Sequence, residues 1–427
     1  MEALSQLAIV WAGTFVAIVV ARATRFTAVI YYLAVGAILV NVGWLPEEVD
    51  PFIQGFAGVG IMIIMFALGF EENTSAFIQS VKRSWGIVFF GGLAPFLTAF
   101  WLAYWFWDDR QVALMVGLAM TATAVSLTMV SLRSEGLQSS QAARRIMTSA
   151  VLDAIAPLAL VAVLVPFATG SGDAGITEIG LMVGKALLFF LVVTFAGALV
   201  FPDSLKGWQS RAPLLGRYGI KNVLAFSNGQ FSTVTALMVA VTISMVAHGF
   251  GFHFAVGAFM AGLILKKEYF RSDAINGSYA DTKRFIDGLA FTWVGPVFFV
   301  VLGAKLVFDW DIIVSVIPHT TVMVIGIVVA QVASAALAAR YTGGLRMPAA
   351  MMVGFGMLGR AELAFVVMDI AYVEHSVFSA EAFYTLMLTA FCLNVAVPIS
   401  IRLWKPFYEE TARERPALHQ VLETETG

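Results

Sequence analysis

The sequence predicts an all-α polytopic membrane protein of about thirteen transmembrane helices, and three observations predict it. Of the 427 residues, 59% are hydrophobic and only 13% charged, with a mean hydropathy of +0.85. Soluble domains carry about 25% charged residues, so that class is excluded. Apolar runs of roughly 20 residues recur from end to end, each long enough to cross a hydrocarbon core of about 30 Å. Between the runs, Lys and Arg fall on alternate connections, all but Arg110 on one side.

In chain order the hydropathy runs cover 3–21, 27–43, 51–70, 84–105, 111–132, 146–167, 177–200, 231–247, 251–265, 286–307, 312–339, 347–372 and 380–404. One set of connections holds Arg22 and Arg25, Lys82 and Arg83, Arg133, Arg144 and Arg145, and the clusters around Arg211, Lys267, Arg340 and Arg402. The other holds Arg110 with the acidic loops Glu47-Glu48-Val49-Asp50 and Asp108-Asp109. The positive-inside rule then puts the N-terminus outside and the C-terminus in the cytoplasm. A multi-pass protein of the cell (inner) membrane is expected, with membrane lipid around it. Residues 1–405 read as one transmembrane domain and 406–427 as a short cytoplasmic tail. No signal peptide opens the chain, which starts Met1-Glu2-Ala3-Leu4-Ser5. Lys266–Arg271 reads either as a short surface helix or as a solvated loop. The single cysteine, Cys392, lies in an apolar run and cannot form an intrachain disulfide.

Asp153 is a carboxylate inside the run 146–167. A carboxylate at that depth costs several kcal/mol unless it is paired, hydrated or bound to a cation, so it reads as a functional residue. Counting at 1.5 Å per residue from Arg145, Arg340 and Arg133 puts Asp153, Gln331 and Thr123 about 12–15 Å deep, with Arg360 and Glu362 about 21–24 Å from Arg346. Five polar groups on four spans thus converge near mid-membrane, the expected geometry of a binding site in a secondary transporter.

Two of those spans look breakable. The fifth has β-branched and hydroxyl residues at its centre, Met120-Thr-Ala-Thr-Ala-Val-Ser-Leu-Thr128. The twelfth has three glycines and then a charged pair, Gly354-Phe-Gly-Met-Leu-Gly-Arg-Ala-Glu-Leu363. Interrupted spans in two halves point to inverted repeats and a site made of half-helix ends. Hydroxyls and freed carbonyls there can replace a cation's water.

These segments carry a resemblance. Ala21–Gly36, Gly58–Glu71, Thr123-Ala-Val-Ser-Leu-Thr128, Ala150-Val-Leu-Asp153, Gly257–Gly262, Pro296–Gly303 and Arg360-Ala-Glu362 resemble, in order and spacing, the second family of monovalent cation:proton antiporters. That family holds bacterial sodium/proton exchangers and the Kef-type potassium/proton systems. The resemblance implies the sodium/proton antiporter fold: inverted repeats with two broken, crossing helices. It further implies scaffold and dimer helices over 1–83 and 231–307, an ion-translocation core over 84–167 and 312–404, and a homodimer. The run Gly55-Phe-Ala-Gly58-Val-Gly60 suits close helix packing, as at a dimer interface.

By that resemblance the cation and proton site is Asp153 with Thr123 and Ser126, and the monovalent cation sits at Asp153. Gln331, Arg360 and Glu362 form a surrounding set. Family members carry two polar residues in tandem on the helix of the ion-binding Asp. Here the tandem is Leu152-Asp153 or, in the other register, Asp153-Ala154; the first is favoured because Asp153 is the only carboxylate this helix offers. Electrogenic members also place a Lys where this chain has Gln331. Losing an acid and a Lys together is charge-balanced, since an unpaired buried charge is costly.

The reading is therefore an antiporter that exchanges Na⁺ or K⁺ for H⁺ by alternating access, electroneutral because one carboxylate titrates without a Lys partner. A cation-coupled symporter of an organic anion and a cation channel are the alternatives. No enzyme is expected, since no metal-ligand cluster or nucleophile–base pair stands out. No cofactor, nucleic acid or nucleotide-binding domain is expected either.

Overall fold

The computed structural model describes residues 2–24, 26–71, 74–169, 231–250, 252–265, 267–270 and 279–425, with isolated positions between 184 and 224. The side chains of residues 2, 74–84, 126, 150–152, 154–155 and 410–425 fall outside that description. The expected fold class holds: among the described residues the elements are helices. In chain order they are α1 (Glu2–Thr24), α2 (Ala28–Asn41), α3 (Pro51–Glu71), α4 (Thr74–Trp107), α5 (Arg110–Ala119), α6 (Val125–Ser134), α7 (Gln141–Thr169) and α8 (Ser232–Gly249). There follow α9 (Phe254–Ile264), α10 (Tyr279–Gly288), α11 (Gly295–Gly303), α12 (Trp310–Tyr341), α13 (Met347–Gly356), α14 (Glu362–Asp369) and α15 (Ala380–Glu425).

Among the described residues, seven helical stretches are long and apolar enough to cross a membrane, and five more are apolar but shorter. Breaks make some of the short ones. The predicted span 111–132 is two pieces, α5 and α6, and the predicted span 347–372 is α13 and α14 followed by a π turn at Ile370–Glu374. The predicted span 177–200, with Lys185, lies outside the described residues apart from isolated positions, so thirteen remains the expected number. In the connection after α9, Lys267–Tyr269 forms one 3₁₀ turn. His253 caps α9, its Nδ1 accepting from the Ala255 N–H at 3.2 Å.

The chain divides into two compact units. Unit 1 comprises residues 1–23, 28–76 and 158–308; unit 2 comprises 24–27, 77–157 and 309–427. In unit 1, α3 packs on α9 and α2 on α11. The α3–α9 contact is backbone to backbone: a Cβ at Gly69 would strike the Phe259 carbonyl, and one at Gly262 would strike the Phe66 carbonyl. Small residues at helix contacts allow such approach in a bilayer, where apolar area alone does not drive helices together. Gly55 and Gly58, on the same helix, face open space. In unit 2, α12 packs against α13 and α15, α14 against α5, and α15 against α6.

A crossing of two broken helices

The candidate site lies where the two breaks of unit 2 meet. After α5 the chain leaves the helix at Met120, and α6 does not begin until Val125. Thr121 turns its hydroxyl back onto the Gly117 carbonyl at 2.9 Å, the local bond by which threonine competes with helix propagation. After α13 the helix stops at Met357 and resumes at Glu362. The two extended segments cross antiparallel as a single β-bridge between Thr123 and Arg360. The Ala124 N–H donates to the Gly359 carbonyl at 2.9 Å and the Ala361 N–H to the Ala122 carbonyl at 3.4 Å. Backbone groups freed by breaking one helix are thus met by the other, as burial demands. Gly359 keeps this contact close. A Cβ would come within 3.1 Å of Asn394 Oδ1 and 3.2 Å of Ala124 Cβ.

α7 brings Asp153 to this crossing. Thr123 Oγ1 donates to Asp153 Oδ2, with both residues buried, at 7% and 4% exposure. Pro157, four residues on, has no N–H to give to the Asp153 carbonyl. The crossing also places the C-terminal ends of α5 and α13 beside the N-terminal ends of α6 and α14, so partial charges of both signs converge. Thr128, one turn into α6, donates to the Gly356 carbonyl at the end of α13. Of the other predicted residues, Ser126 lies in the first turn of α6, and its side chain is outside the described residues. Glu362 opens α14, where a carboxylate suits the positive end of the helix.

Arg360 is almost fully buried, at 2% exposure, and interacts electrostatically with Asp153. Its Nη2 donates to Gln331 Oε1 at 3.2 Å, and its backbone N–H donates to Asn394 Oδ1 at 2.7 Å. Gln331, with no exposed surface, donates its Nε2 to the Gly91 carbonyl of α4 at 2.7 Å. That carbonyl lacks its helical partner because residue 95 is proline. The structure thus brings together Thr123, Asp153, Gln331 and Arg360, four of the polar groups that the sequence placed at mid-depth. Asn394 and Gly91 were missed. Asn394 did carry a signal, an amide inside the apolar run 380–404; Gly91 carried only an indirect one, the proline four residues later.

Comparison with known proteins gives the family. The sequence matches the family described as "Sodium/hydrogen exchanger, transmembrane" over residues 11–404. The chain belongs to that family. It is 24% identical over 321 residues to GerT, a probable Na⁺/H⁺ antiporter of Bacillus cereus, covering 74% of this chain and 76% of that one. It is 22% identical over 372 residues to an Na⁺/H⁺ antiporter of Enterococcus hirae, covering 87% and 90%. Among solved structures it is similar to the sodium proton antiporter MjNhaP1 of Methanocaldococcus jannaschii, with a TM-score of 0.66, 15% identity and coverage of 95% and 100%. The sodium/hydrogen exchanger family consists of multi-span membrane transporters, and the likeness to MjNhaP1 shows that this chain shares that protein's fold. Membership places this chain among exchangers of a cation for a proton.

Proposed function

We propose that the protein exchanges one Na⁺ for one H⁺ across the cell membrane, electroneutrally, with Asp153 holding either ion in turn. The observation that carries this reading is the Asp153 carboxylate, buried at a helix crossing and hydrogen-bonded to Thr123, with a fixed cation nearby in Arg360. The cation is held by the Asp153 carboxylate, the Thr123 hydroxyl and the Asp153 carbonyl that Pro157 leaves without its usual donor; Ser126 joins them on the sequence resemblance alone. Arg360 acts through charge, Gln331 and Asn394 hold Arg360, and Glu362 supports the broken helix. Sodium is taken as the cation because GerT and the Enterococcus relative are named for Na⁺/H⁺ exchange; a second Bacillus relative, GerN, is named for K⁺ as well, so K⁺ is the competing cation in the test.

Unit 2 is the ion-translocating core on this reading, because the whole crossing lies in it, and unit 1 is the scaffold. Gly55 and Gly58, open to the outside of α3, suit a second copy of the chain in a homodimer. The N-terminus is outside and the C-terminus cytoplasmic, by the distribution of Lys and Arg.

The test uses purified protein in liposomes with a trapped pH dye. Na⁺, K⁺ and Li⁺ gradients are imposed separately, at several potassium-clamped voltages in the Na⁺ and Li⁺ series. The expected result is proton movement driven by Na⁺ at a rate that does not change with voltage. A voltage-dependent rate contradicts electroneutrality. Cation flux without proton movement points to a channel, and Na⁺-driven uptake of a labelled organic anion to a symporter.

A further inference from the structure

Two levels tie α12 to α15 in unit 2. At one level His319 Nδ1 lies 3.0 Å from Glu381 Oε1, with both side chains partly exposed. The His319 ring packs against Phe106 and Trp107 at the end of α4, centroids 4.4 and 5.9 Å away. At the other level Arg360 binds Gln331 of α12 and Asn394 of α15. Gln331 follows His319 by twelve residues, and Asn394 follows Glu381 by thirteen. The two helices therefore run parallel from one level to the other over about 18–20 Å, at 1.5 Å per residue.

The seam between the levels is buried but not apolar. Thr385 and Thr389 follow Glu381 at steps of four residues along α15, and both are fully buried. Thr320 is buried at the start of the corresponding stripe on α12, which continues through Met323 and Ile327 to Gln331. Six buried side-chain atoms here make no hydrogen bond: Trp107 Nε1, His319 Nδ1 (close to Glu381 but not in hydrogen-bond geometry), Thr320 Oγ1, Thr385 Oγ1, and Arg360 Nε and Nη1. Leaving a buried donor unmet costs about 1–3 kcal/mol. Indole and guanidinium nitrogens only donate, so whatever meets them must accept. The threonine hydroxyls both donate and accept, which suits groups that pass hydrogen bonds along. Steps of one helical turn, about 6 Å on α15, are spanned by one or two waters, which typically take 2–4 partners each in buried sites.

We propose that the α12–α15 seam is a binding site for a file of ordered water, running inside unit 2 from His319 and Glu381 to the guanidinium of Arg360. Water oxygens accept from Trp107 Nε1, Arg360 Nε and Arg360 Nη1, while Thr320 and Thr385 hold the file between them. The file solvates Arg360 from within its own unit, so the guanidinium stays charged whichever ion Asp153 holds. The site is distinct from the cation position, and it stands whether or not the protein exchanges sodium.

Millisecond X-ray footprinting with hydroxyl radicals tests it, because radicals form from water held beside buried side chains. Met323 has no exposed surface and lies one turn inward from Thr320 on the seam; Met65 of unit 1 is comparably buried, at 2%. In the intact protein, Met323 is expected to oxidise several-fold faster than Met65. Thr320→Val with Thr385→Val removes the hydroxyls at constant shape and is expected to bring Met323 down to the Met65 rate. Equal rates in the unsubstituted protein overturn the proposal, as does an undiminished Met323 rate in a folded double variant. Where the double variant does not fold, Thr385→Val alone is read in the same way. A dry seam also predicts that Thr385→Val raises the melting temperature, because an unmet hydroxyl becomes a methyl; the water file predicts a fall.

Discussion

Gln331 donates its side-chain amide to the Gly91 carbonyl at 2.7 Å, and that carbonyl is free because residue 95 is proline. The same glutamine accepts from Arg360 at 3.2 Å. A proline in α4, an amide in α12 and a guanidinium in the broken crossing are therefore one connected polar network. Its members are buried, so each bond matters more for the cost of its absence than for its own strength.

This network gives a coupled stability prediction. Gln331→Leu leaves the Gly91 carbonyl and the Arg360 Nη2 without partners, at about 1–3 kcal/mol for each unmet group. Pro95→Ala restores an N–H to the Gly91 carbonyl, so the penalty of Gln331→Leu is expected to be smaller in that background. Thermal melts of the four proteins in detergent give the double-mutant cycle. Additive losses contradict the link between Pro95 and Gln331.

Asn394 fixes the second segment of the crossing by accepting the Arg360 backbone N–H. Asn394→Leu is expected to destabilise the protein by about 1–3 kcal/mol for the unmet amide. Exchange rate is expected to fall with it, because Arg360 loses its fixed position. Asn394→Asp keeps an acceptor and should retain more of the melting temperature than the leucine variant. Equal melting temperatures for the two variants count against this role.

Thr123 contributes a hydroxyl to Asp153 and, on the proposed reading, to the cation. Thr123→Val keeps shape and β-branching, and is expected to raise the apparent KM for Na⁺ about ten-fold. That change corresponds to about 1.4 kcal/mol, near the worth of one hydrogen bond to a charged group. Thr123→Ser should return most of the affinity. An unchanged KM in the valine variant removes Thr123 from the ion site.

A single carboxylate that binds either ion makes the two competitors. Lowering the pH on the side where Na⁺ enters should raise the apparent KM for Na⁺ without lowering the maximal rate. The measurement is initial ²²Na⁺ uptake at a series of external pH values. A maximal rate that falls with pH at unchanged KM indicates separate sites.

Much of this was legible in the chain, for reasons that differ from residue to residue. Asp153 was legible because a carboxylate in an apolar run has no cheap explanation. The breaks were legible because Thr121, Thr123, Gly354, Gly356 and Gly359 are poor helix residues placed mid-span. The bridge between Thr123 and Arg360 was not, since antiparallel pairing joins positions far apart in sequence. Gln331 stood out as a buried amide, but its partner did not, because a freed carbonyl appears in the sequence only as a proline on another helix. Asn394 went unread because one amide near a helix centre resembles ordinary polar packing until a partner comes within 2.7 Å. The π turns at Leu289–Trp293 and Ile370–Glu374 carry no periodic signal at all.

The central claim is that Asp153 is the group that carries the ion. Asp153→Asn keeps shape and a hydrogen-bonding oxygen for Thr123 while removing the group that titrates. The decisive measurement is Na⁺-driven proton movement in liposomes containing equal amounts of folded wild-type and Asp153→Asn protein. The account predicts no exchange above empty liposomes for the asparagine variant, at a melting temperature close to wild type. Exchange retained at a substantial fraction of the wild-type rate would contradict it.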